Sequence, residues 1–129
     1  MKTIPISKFV PGCIWFLMVL ILIVLPQKDI PEVDEWYHRI YIDKWVHAFM
    51  FGVLAFGFMW PFYRYQKNAA VLKRTLIIIA ISASVWGYIT ECIQLFVPGR
   101  SYDLMDWAAD SFGVLIALLF FLKKRKQLQ

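Results

Sequence analysis

The sequence predicts an all-α membrane protein with four transmembrane helices and both termini cytoplasmic. Three observations carry this. The chain is 60% apolar with mean hydropathy +0.59, above the roughly 45–50% apolar content of water-soluble domains. Four apolar runs are each long enough to cross a hydrocarbon layer of ~30 Å. Basic residues cluster on alternate connections between those runs, the pattern that sets membrane orientation.

The 129 residues read as a single domain, 1–129, with no internal repeat. The first run is Phe9 to Leu25 (span 9–25). Pro11 lies in its first turn, where a missing amide costs little, and Pro26 ends it. No small-residue cleavage site follows, so this run reads as a retained anchor. The second run is Trp45 to Tyr63 (span 45–63), closed by Pro61, Arg64 and Lys67. The third is Thr75 to Val97 (span 75–97), stopped by Pro98-Gly99. The fourth is Leu104 to Leu122 (span 104–122), stopped by Lys123-Lys124-Arg125-Lys126. Helices satisfy their backbone groups internally, so helices are what these runs form in lipid. The connection 27–43 is too polar to cross. It reads either as a solvated loop or as a short interfacial helix anchored by Trp36, Tyr37, Ile40 and Tyr41.

Ten of the fourteen basic residues fall on one side: Lys2, Lys8, Arg64, Lys67, Lys73, Arg74 and the run 123–126. That side is predicted to be cytoplasmic. All nine acidic residues fall on the other. The net charge of +5 does not indicate a nucleic-acid partner. The basic residues flank apolar runs and are not interleaved with aromatics on a soluble face. Cys13 and Cys92 lie inside apolar runs and read as small buried hydrophobes.

Polar groups collect at the acidic end. Asp43, Lys44 and His47 share one face of the second helix, with Asp43 as a candidate cap. On the third helix, Ser84, Gly87, Tyr88, Glu91, Gln94 and Leu95 trace a small or polar stripe. Seven residues separate Glu91 from Pro98, placing it roughly 10 Å below the outer end. On the fourth helix, Asp103 suits the cap position, Asp106 follows, and Asp106, Asp110, Gly113 and Ala117 form a narrow stripe suited to close helix contact. Charged groups at membrane depth cost ~2.5–3.5 kcal/mol each on insertion scales. Each has a purely structural reading, as a cap or a helix-to-helix hydrogen bond. Taken together they predict one outward-facing pocket, with Arg100 at its rim as a fixed positive charge for phosphate or carboxylate.

Asp43-Lys44-x-x-His47-x-x-x-Phe51, followed by Glu91-x-x-Gln94-x-x-x-Pro98-x-Arg100-x-x-Asp103-x-x-Asp106 and then Gly113, resembles the VanZ-like family of small bacterial membrane proteins. The resemblance covers roughly residues 40 to 122. Members often carry asparagine about three residues after the second aspartate; this chain has Ala109 there, with Asp110 adjacent. The family is named for a protein linked to low-level teicoplanin resistance. The resemblance therefore implies a cell-envelope role in the bacterial cytoplasmic (inner) membrane.

Several functions compete. In the leading one, a pocket of Asp43, Lys44, His47, Glu91, Gln94, Arg100, Asp103, Asp106 and Asp110 binds a lipid-linked phosphate or a glycopeptide among the membrane lipids. In the second, the protein is a membrane enzyme. His47, Glu91 and Asp106 are then its catalytic candidates. His47 serves as general base, and Glu91, Asp103 and Asp106 hold a divalent cation such as Mg. Against catalysis, no nucleophile motif, phosphate loop or zinc signature is present. In the third, the protein is a structural subunit whose polar groups hold helices together. Such bonds average only ~0.6 kcal/mol in membranes, a weak return for so many costly groups. Proton-coupled transport through Glu91 lacks a polar path to the inner end. Gly52 and Gly57 offer a surface for close approach in a dimer.

Overall fold

The computed structural model describes residues 3–26 and 41–126. A 3-10 turn, Ile6–Phe9, leads into helix α1, Val10–Val24. Helices α2, Ile42–Tyr65, α3, Ala69–Gln94, and α4, Leu104–Lys126, follow. Counting the 3-10 turn with α1 (Ile6–Val24), all four are long and apolar enough to cross a membrane. The candidate interfacial helix between α1 and α2 lies outside the described residues, apart from Tyr41, which is exposed and left-handed at φ 49°.

The helices run past the apolar runs at four of their ends. α2 starts at Ile42, so Asp43 and Lys44 sit inside its first turn, and Tyr41, not Asp43, holds the cap position. Pro61 does not close α2 but lies buried within it, and the helix continues to Tyr65. A proline removes only its own donor and crowds one preceding carbonyl, which here is that of Gly57. α3 starts early because Asn68 caps it, its Oδ1 accepting from the Val71 amide at 3.0 Å. α4 runs on through its basic end to Lys126. By contrast, α3 stops at Gln94, three residues short of the expected Val97.

Helix α2 is central. It packs most extensively on α4, then on α3, and then on α1, which also touches α3. The core between them is Phe51, Leu54, Met59, Leu76, Val114 and Phe121, all nearly or wholly buried. The opposite faces expose Leu17, Ile21, Ile81, Val85, Phe112 and Leu119, the surface a lipid solvent accepts. Phe9 packs edge-on against Phe62, and Arg125 Nη2 reaches the Lys67 carbonyl at 3.4 Å. The start of α1 therefore lies beside the last turns of α2, and the end of α4 beside the α2–α3 connection.

Two close backbone approaches set the helix registers. A Cβ on Gly113 would lie 1.9 Å from the Ala48 carbonyl oxygen. Gly52 faces the Gly113 carbonyl across the same contact. Gly57 faces Gly12 of α1, a hypothetical Cβ meeting its Cα at 3.2 Å. The small residues read as a dimer surface thus close contacts within the chain. Trp15 adds a bond from its indole Nε1 to the Met50 carbonyl at 2.9 Å, tying α1 to α2. Cys13 faces outward and is not a core hydrophobe; Cys92 is half-buried, and both are free.

Candidate functional site

The registers of α2, α3 and α4 bring their polar residues together at the end remote from the α2–α3 connection. Lys44 is the hub. Its ammonium donates to Asp103 Oδ2 and, at 2.5 Å, to Asp106 Oδ1. It also pairs with Asp43 Oδ2 at 3.0 Å. One α2 lysine thus joins three carboxylates, two of them from the α4 end. Asp103 lies outside the membrane-spanning segments. The Lys44 ammonium, followed by the Met105 amide, holds its carboxyl below the usual carboxylate range.

Below Lys44 lies His47. Its Nδ1 sits 3.0 Å from Asp110 Oδ1, and its Nε2 is 3.8 Å from Asp106 Oδ2. An ionised carboxylate only accepts, so Asp110 in its ionised form selects the tautomer with the proton on Nδ1 whenever His47 is neutral. That leaves the Nε2 lone pair turned toward Asp106. Asp110 is wholly buried, and its Oδ2 has no partner among the described residues. That oxygen lies over Gly87, where a Cβ would meet it at 2.9 Å. Glycine is the residue that leaves it room.

Glu91 enters from α3. It is 0% exposed. Its Oε2 accepts the Asp103 backbone N–H at 3.1 Å, so the start of α4 is anchored on α3. Its Oε1 has no partner among the described residues. His47, Glu91 and Asp106 each bring one donor atom within 4.8 Å of the others. Because α3 ends at Gln94, Glu91 lies only about 4.5 Å from that end at 1.5 Å per residue, shallower than its spacing from Pro98 predicts.

The predicted site residues thus divide. Lys44, His47, Glu91, Asp103, Asp106 and Asp110 interlock, with Asp43 on the exposed outer edge. Gln94 is buried in the same last turn of α3, but no hydrogen bond ties its amide to the carboxylates among the described residues. Arg100 forms no ion pair with these carboxylates among the described residues; its Nε makes a long 3.5 Å contact with the Leu25 carbonyl at the end of α1. The helix-three stripe also splits, since Tyr88 and Leu95 turn outward. Asp103 does cap α4 as expected, its Oδ1 accepting the Met105 amide at 2.8 Å.

Sequence reading missed the bonds that hold this register. Trp107 Nε1 donates to the Ser84 carbonyl at 3.0 Å, and the Ser84 and Ser111 hydroxyls lie 2.7 Å apart. Buried Thr90 bonds the Gly87 carbonyl. Ser84 and Ser111 at facing helix positions were the available signal. Exposure grades inward, from 59% at the Asp43 side chain through 14% at Asp106 to 0% at Asp110. Two apolar cavities lie away from the carboxylate groups, one of about 280 Å3 among Phe16, Phe58 and Trp86, the other beside Phe49, Phe56 and Phe112.

Four membrane-length helices with a buried, interlocked acid–histidine–lysine cluster at one end define a small multi-pass membrane protein with a polar helix-end centre. The chain belongs to the VanZ/LLP1 family, whose model matches residues 9–125. It is also 32% identical, over 77 residues, to an uncharacterized protein of Schizosaccharomyces pombe. The match takes in 60% of this chain and 44% of that protein, so the chain spans under half the length of the curated relative it matches. No solved structure matches it.

Proposed function

We propose that this protein binds the polar head of a lipid-linked envelope molecule at the helix-end cluster, facing outward from a cytoplasmic membrane. The observation that carries the reading is a pair of carboxylates. Glu91 and Asp110 are both fully buried, and each keeps one oxygen unpartnered among the described residues. Buried acceptors without donors are costly, so such groups call for a donor-rich or cationic ligand. The carboxylates outnumber the cluster's one lysine, which is already shared among three of them. Sugar hydroxyls and an ammonium group, as a lipid-linked sugar or a glycopeptide presents, match that balance directly. A phosphate engages this site through a cation. The outward orientation rests on the basic residues at the opposite end of the bundle.

The test is binding of a fluorescent polyprenyl-diphosphate-linked sugar, and separately of teicoplanin, to the purified protein in detergent. Saturable binding of either that weakens in a Glu91→Gln/Asp106→Asn variant supports the reading. Equal binding by both proteins, or none by wild type, removes it.

A second reading is supported by the His47–Asp110 pair, which has the geometry of an oriented general base as long as Nε2 itself binds no metal ion. A metal-assisted hydrolase of lipid-linked phosphates would release phosphate in a turnover assay and lose that release in His47→Gln. No release from a binding-competent protein leaves the binding function alone.

A further inference from the structure

We propose that His47, Glu91 and Asp106 form a site for one divalent transition-metal ion of the zinc or manganese class. Their donor atoms come from three different helices and lie within 4.8 Å of one another. Donors around one bound ion sit roughly 3–4 Å apart when each bond is about 2.0–2.2 Å. His47 Nε2 and Asp106 Oδ2, at 3.8 Å, already meet that spacing. Glu91 brings its donor atom within 4.8 Å of the other two.

Two further observations point to a cation here and not merely to a cluster of acids. Glu91 is wholly buried, and its Oε1 has no partner among the described residues although Oε2 is held by the Asp103 amide. A metal ion is a partner that a buried carboxylate oxygen accepts. The second is the Asp110–His47 bond at 3.0 Å. A ligating histidine commonly donates its other ring N–H to a carboxylate, which fixes the tautomer and makes the free nitrogen more basic. Here that arrangement leaves Nε2, 3.8 Å from Asp106 Oδ2, as the ligating nitrogen.

The neighbours fit the same role. Lys44 takes Asp106 Oδ1 at 2.5 Å and leaves Oδ2 to the ion. Asp103 is occupied by Lys44 and by the α4 cap, so it is not a ligand, and the all-oxygen set of Glu91, Asp103 and Asp106 is replaced by one containing imidazole. Imidazole with two carboxylates favours zinc, manganese or iron over magnesium and calcium. Three protein ligands leave at least one coordination position open. A phosphate oxygen entering that position would join the ion to the proposed head-group site. The ion site itself does not depend on that head group.

The experiment uses full-length untagged protein in nanodiscs, stripped with EDTA and titrated with Zn2+, with Mn2+ followed by electron paramagnetic resonance. The expected result is one ion per chain, a rise in unfolding temperature on loading, and affinity lowered at least about tenfold in His47→Gln and Glu91→Gln. A Cys13→Ser/Cys92→Ser variant should bind as wild type does. If a ligand variant fails to fold, the Mn2+ spectrum of wild type decides, since direct imidazole coordination leaves nitrogen couplings. Zn2+ binding that follows the cysteines, a stoichiometry well below one, or a Mn2+ spectrum without nitrogen couplings overturns the site. Sugar-lipid binding that survives EDTA unchanged overturns the link to phosphate while sparing the head-group reading. Tight metal binding with no lipid binding overturns the head-group reading and leaves the ion site standing.

Discussion

The imidazole Nδ1 of His47 lies 3.0 Å from Oδ1 of Asp110, joining the first third of α2 to the buried face of α4. Asp110 is two turns into its helix and 0% exposed, so the bond forms away from bulk water. Removing the carboxylate leaves a largely buried imidazole without its orienting partner. Asp110→Ala should therefore destabilise the bundle by about 1–3 kcal/mol, the cost of an unsatisfied buried polar group. Unfolding of the detergent-solubilised protein, followed by circular dichroism, checks this. Asp110→Asn, which keeps an acceptor, should cost less.

Gly113 is the tightest contact between α2 and α4. A methyl group there would meet the Ala48 carbonyl oxygen at 1.9 Å, a separation no side chain tolerates. Gly113→Ala must push the helices apart or shift their register, with an expected cost of about 1–3 kcal/mol from overpacking. Gly52→Ala, whose new Cβ would lie 3.2 Å from the Gly113 carbonyl oxygen, should be milder. Melting temperatures of the two variants give the comparison.

Lys44 and Asp106 should be strongly coupled. Their side chains are 19% and 14% exposed and bonded at 2.5 Å. A double-mutant cycle with Lys44→Met and Asp106→Asn should show an interaction energy of roughly 1–3 kcal/mol. A value near zero would mean that water supports both groups as well as they support each other.

Acid should weaken the start of α4 in a defined window. Asp103 titrates below its ordinary value of 3.8 in the folded protein. Its contribution is thus fully present above that value and is lost as pH falls through the lower folded value. Wild type should be more stable than Asp103→Asn at neutral pH, and the gap should narrow only below about pH 4. Paired thermal melts across pH 3 to pH 7 would read this, with the buried acids common to both proteins cancelling in the difference.

Much of this architecture was legible in the sequence, because membrane spans are written in hydropathy. The acidic end was legible too, since Glu91 and Asp110 stand out in apolar surroundings. What composition does not carry is direction. Whether Arg100 turns to the carboxylates or to the Leu25 carbonyl depends on how the loop from α3 to α4 lies against α1. The hub role of Lys44 depends on α2 starting at Ile42, beyond the edge of its apolar run. Pro61 looked like a stop because a proline usually ends a pattern, yet a helix held on both sides by neighbours absorbs it. The register that brings His47 to Asp110 comes from the Gly113–Ala48 approach, and no one-helix periodicity shows which glycine will face which carbonyl.

The central claim is that the acid–histidine–lysine end of the bundle is where this protein meets its envelope ligand. Photo-crosslinking in native membranes tests it most directly, with a photoreactive polyprenyl-diphosphate-linked sugar and mass-spectrometric mapping of the attachment sites. Adducts confined to residues around Lys44, Tyr102 and Met105, and abolished by Glu91→Gln, are the expected result. Adducts spread evenly over lipid-facing positions such as Ile81 and Leu119, or gathered at the basic end near Lys67 and Lys73, would contradict it.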